Sequence, residues 1–155
     1  MDLEWLILGD FATIAGGKLY LQGGGWDRFT APGPLPQNMA LGIAASVRIP
    51  WNETNQTGHL QVELQFEDGQ QLAKIDSEFK VGRPAEIPEG MDQRAQIAGT
   101  LTTKIEKFGS YVIIARLEGD EVGRVGFYAV PNPQLAMQQA KERQQAEDER
   151  KQNGG

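Results

Sequence analysis

Five residues of this chain have the chemistry to hold a small molecule. Trp26, Asp27 and Arg28 follow three consecutive glycines, Trp51 precedes a turn-rich loop, and His59 is the single histidine. An aromatic ring beside an acid–base pair offers a flat apolar face and two charges, the combination that orients a sugar or a short peptide. Hydrolysis by the same set needs a nucleophile and a base within hydrogen-bond reach, and the spacing nominates no such pair, so no catalytic residue is assigned. A second reading competes with binding. Trp26 and Phe29 plug the end of a core while Asp27 and Arg28 are solvated, and His59 is a loop histidine.

The stretch that leads into these residues, "GGKLYLQGGGWDRF" at 16–29, superficially suggests a phosphate loop. A Walker A loop needs glycine five residues before Gly17-Lys18 and a hydroxyl after it, and those positions hold Ala12 and Leu19. The spacing of a dinucleotide-binding turn is also missing, and no helix pattern follows. What remains is a turn at Gly16-Gly17, a short strand Lys18–Gln22 and a flexible or bulged segment at Gly23–Gly25.

Metal and cofactor chemistry find little support. With no cysteine and one histidine there is no thiolate zinc site, iron–sulfur cluster or repeated ligand spacing. Glu67-Asp68-Gly69 and Glu118-Gly119-Asp120-Glu121 lack the oxygen spacing of a calcium loop and stand where hairpins need turns. No metal and no cofactor is expected. Asp10, set in an apolar run, is either a partly buried functional acid or a strand-end residue beside Gly9, and the strand-end reading is preferred. The sequons at Asn52 and Asn55 are loop chemistry when no secretory signal precedes them. The terminal Gly154-Gly155 matches a conjugation tail by two residues only and is read as a frayed end.

The elements that must position these residues show period two. Leu60, Val62, Leu64 and Phe66 alternate with Gln61, Glu63, Gln65 and Glu67, a half-buried strand. Met39, Leu41, Ile43, Ala45, Val47 and Ile49 alternate with Ala40, Gly42, Ala44, Ser46 and Arg48. Asp68-Gly69 turns the chain into a return strand bearing Ala73, Ile75, Phe79 and Val81. Together with "LEWLILGDFATI", "KLYLQ", "AQIAGTLTTKI" and the closing hairpin "YVIIARLEGDEVGRVGFYAV", the count is about eight strands. The expected fold is all-β, an immunoglobulin-like Greek-key β-sandwich over residues 1–130, with barrel closure as the alternative. Tyr111 opens a late strand two residues before the apolar Ile113, the placement of a tyrosine corner.

Composition shifts at "VPNPQ". Asn132 caps and Pro133 begins a helical, partly disordered tail over 131–155, polar beyond Ala140, with Leu135 and Met137 available to dock a partner. The net charge of −6, without a Lys/Arg cluster, disfavours nucleic acid and anionic membranes. The apolar run Leu3–Leu8 is too short for a signal core or a membrane span, so a cytoplasmic location is expected.

The strand opening into "GDFATIAGGKLYLQGGGWDRF", the "PLPQNMALGIAASVRI" strand, the "LQFEDGQ" hairpin and the "GSYVIIARLEGDEVGRVGFYAV" hairpin together resemble a family of small bacterial proteins of unknown function, over residues 3–130. The resemblance implies a compact bacterial β domain and transfers no functional residue. The function expected is a non-enzymatic protein-binding or assembly module, by a partner or by self-association. The alternative is a small-ligand or carbohydrate binder, or an unrecognised hydrolase, using the Trp26–Arg28 loop.

Overall fold

The computed structural model describes residues 1–154; Gly155, half of the diglycine end, lies outside the described residues. Ten strands precede one helix: β1 Asp2–Gly9, β2 Phe11–Ala15, β3 Lys18–Gln22, β4 Arg28–Thr30, β5 Gln37–Ile49, β6 Thr57–Phe66, β7 Gln71–Lys80, β8 Gln93–Ile105, β9 Gly109–Leu117, β10 Asp120–Val130 and α1 Pro133–Asn153. The expected count of eight is corrected for two reasons. The run Leu3–Ile14 bends at Asp10 and becomes two strands, and Arg28–Thr30 adds a strand too short to show alternation.

Two sheets face each other. One is three-stranded, β1-β5-β8, and the other is five-stranded, β4-β10-β9-β6-β7. The residues read as one face of each strand fill the space between them: Leu41, Ile43, Val47 and Ile49 from β5, Leu60, Val62 and Leu64 from β6, Ile113 and Ala115 from β9, and Phe127 from β10. Each fully buried large aliphatic of this kind is worth about 1.5–3 kcal/mol. At the sides, β7 lies beside β8 and β1 beside β10, so the long edges shelter one another. The arrangement is sandwich-like.

A third layer has a local cause. After Gly9 the chain turns over β5, and the β2–β3 hairpin, closed by Gly16 and Gly17 at φ 57° and 73°, lies on the outer face of the three-stranded sheet. The floor beneath it is the small-residue face of β5: Gly42, Ala44 and Ser46 are all buried. A Cβ at Gly42 would stand 2.6 Å from the Phe11 backbone. Only glycine allows that approach.

At the start of β9 the Tyr111 hydroxyl donates to the Lys107 carbonyl at 2.7 Å, while its ring stacks on Phe127 with centroids 5.2 Å apart. The tyrosine corner is therefore formed. Asn132 caps α1, its side chain accepting from Gln134 N at 3.0 Å, with Pro133 in the first turn. None of the described residues of α1 is buried.

Candidate functional site

The Gly23–Gly25 run is a fixed corner. Gly23 and Gly25 have φ of 55° and 81°, and a Cβ on Gly23 would lie 2.2 Å from Asp10 Oδ2. Gly25 N donates to Leu8 O at 2.9 Å, and Asp10 N donates to Gln22 O at 3.0 Å. Trp26 is thereby delivered inward. Its ring meets Phe127 edge-on, centroids 5.4 Å apart, and its Nε1 donates to Asp10 Oδ1 at 3.1 Å. The indole packs against the core as a plug, while the Asp27 and Arg28 side chains are exposed. Asp10 is the exposed strand-end residue that accepts the indole N–H.

Trp51 sits in a single 3-10 turn, Trp51–Glu53. The Arg83 guanidinium covers its ring at 4.5 Å, donates through Nη2 to the Trp51 carbonyl at 3.0 Å, and donates through Nε to Thr54 Oγ1 at 2.6 Å. Trp51 is thus a clasped loop anchor. Arg83, in the loop after β7, was the unforeseen part of that clasp, since nothing in "GRPAEIPEG" marks which residue returns to a tryptophan thirty-two positions earlier.

His59 lies on β6, beside a surface groove of about 460 Å³ lined by Gln61, Asp76, Glu78, Arg116 and Gly119. Cross-strand register makes this wall: His59 pairs with Glu78, and Gln61 with Asp76 on one side and Arg116 on the other. His59 Nε2 stands 3.5 Å from Glu78 Oε2, and Nδ1 stands 3.5 Å from Glu118 Oε1. Glu118 holds φ of 51°, the left-handed region, in a two-residue turn with Gly119 at 90°. It is latched to His59, accepting from His59 N at 2.6 Å and donating its own N–H to His59 O at 3.0 Å. Asp76 accepts from Gln61 at 2.9 Å and pairs with Lys74 at 3.1 Å, which holds its carboxyl below the usual range, the Gln61 bond contributing most.

The Trp26–Arg28 segment does not share a cleft with His59. Arg28 registers with Tyr128 at the C-terminal end of β10, whereas the His59 groove flanks the turn that leads into Asp120 at its N-terminal end. Eight residues of extended chain separate those ends by about 26 Å. The Trp26–Arg28 segment and the His59 groove therefore lie toward opposite ends of β10. Among the described residues no group of three or more metal-ligating side chains is gathered.

Two charged clusters were missed by spacing alone. Glu63, 5% exposed although it belongs to the polar face of β6, accepts from Arg116 Nε at 2.9 Å and Gln65 Nε2 at 3.0 Å. On the other sheet Glu4 takes a two-point contact from Arg94, with Nη2 at 2.9 Å from Oε1, and a bond from Ser46 Oγ at 2.6 Å. Arg94 first and Ser46 second hold the Glu4 carboxyl down to about 2. The signal for both was long-range strand register, which links Ser46 to Gln96 and Glu63 to Ile114.

A family model, described as "Family of unknown function (DUF6941)", matches residues 4–130. The chain belongs to this family. DUF6941 thus spans β1 to β10 and stops before α1. No curated protein matches. Among solved structures, the chain is similar to a glycosyl hydrolase family 2 member from Bacteroides cellulosilyticus DSM 14838, at 8% identity and a TM-score of 0.42, over 64% of this chain and 14% of that one. It is also similar to a beta-glucuronidase from glycoside hydrolase family 2, at 10% identity and a TM-score of 0.38, over 61% of this chain and 10% of that one. The chain therefore spans a small fraction of the length of those structures. Likeness at this level says nothing of activity. No described helix is long and apolar enough to cross a membrane.

Proposed function

We propose that this DUF6941 protein is a non-enzymatic protein-binding or assembly module, an immunoglobulin-like Greek-key sandwich that carries α1 as its contact arm. The observation behind the reading is the helix itself. Twenty-one residues leave the sandwich without burying a side chain, with Met137 63% exposed and Leu135 half-buried at the start. A helix polar all round gains little from its own chain, because isolated helices of this length are marginal in water. A partner that covers Leu135 and Met137 supplies what the sandwich does not. The tyrosine corner supports the immunoglobulin-like assignment. The family resemblance and the absence of cysteine support a bacterial, cytoplasmic setting.

The test is capture from native lysate by the full chain and by a chain ending at Val130, read by mass spectrometry. A partner held only by the full chain supports the arm. A partner held by both moves the interface to the sandwich, and capture by neither overturns the module. The His59 groove favours a second reading, a small polar ligand. Saturable backbone amide shifts confined to His59, Gln61 and Arg116 on adding a sugar or short-peptide panel would support it.

A further inference from the structure

We draw no further inference here: the strongest candidate, the groove between β7 and the β9–β10 turn beside His59, has its polar and charged side chains already partnered within the fold, Asp76 with Lys74, Arg116 with Glu63, and the His59 ring between Glu78 and Glu118, and nothing in the structure shows what would occupy it.

Discussion

Trp26 donates its indole N–H to Asp10, 16 residues earlier, across a glycine corner that admits no side chain at Gly23. The bond ties the end of β1 to the segment before β4 and sets the indole edge against Phe127. Removal of the ring therefore opens the end of the core. Trp26→Ala is expected to lower stability by about 3 kcal/mol in urea unfolding. Asp10→Asn, which keeps an acceptor oxygen, is expected to cost well under half of that. A Trp26→Ala protein of unchanged stability would show that the ring is a surface platform after all.

Gly42 lies beneath the hairpin layer. Gly42→Val places a branched side chain where the Phe11 backbone already stands, so either the layer lifts or β5 shifts. The expected cost is about 1–3 kcal/mol. Hydrogen exchange is expected to quicken across 11–22 more than across β6 and β9. Uniform acceleration over both sheets would mean that the hairpin is not a separate layer in energetic terms.

The Glu63–Arg116 pair makes a two-part prediction. Glu63→Ala strands a guanidinium whose side chain is 31% exposed, so it regains some water, and a loss of about 1–3 kcal/mol is expected. The double variant Glu63→Leu/Arg116→Met removes both charges and is expected to recover most of that loss. Chemical denaturation of the three proteins decides the matter. A double variant weaker than Glu63→Ala would show that the pair itself stabilises beyond what apolar packing replaces.

Glu4 gives the fold an acid dependence. Its folded pKa lies at about 2, below the ordinary 4.5, so its contribution is complete above about 4.5 and disappears as pH falls through about 2. The Arg94 side chain is exposed, and salt is expected to weaken the effect. Between pH 5 and pH 2 the stability of Glu4→Gln is expected to fall less steeply than that of the native chain. Parallel pH profiles for the two proteins would count against the assignment.

Truncation after Val130 is expected to leave the unfolding free energy within about 0.5 kcal/mol of the full chain, because no described residue of α1 is buried. Far-ultraviolet circular dichroism should lose its helical component. A larger loss of stability would show that the helix rests on the sandwich in solution.

Much of this architecture was readable from local pattern, and the limit is instructive. Alternation at Leu60–Phe66 marked β6, Asp68-Gly69 its turn, and Asn132-Pro133 the start of α1, since each signal lies within a few residues of its effect. Tyr111 was placed by its distance from Ile113, and its hydroxyl reaches a carbonyl only four residues back. The hairpin layer was not foreseen, although the clue was present. The second face of β5 carries Ala40, Gly42, Ala44 and Ser46, small residues that suit close approach by another backbone more than contact with water. The separation of Trp26 from His59 was not legible for a different reason. Which loops share an end depends on strand order, and strand order is set by pairings such as Tyr128 with Arg28 that no local window contains.

Only Asp10 separates β1 from β2, so the covering hairpin is the continuation of a core strand and has no linker on which to swing. Mechanical load on the hairpin would pass along the main chain into Leu8 and the β1–β5 ladder. The layer and the first strand should then peel away as one unit, and a pulling experiment should register a single rupture where an independently hinged cover would show two.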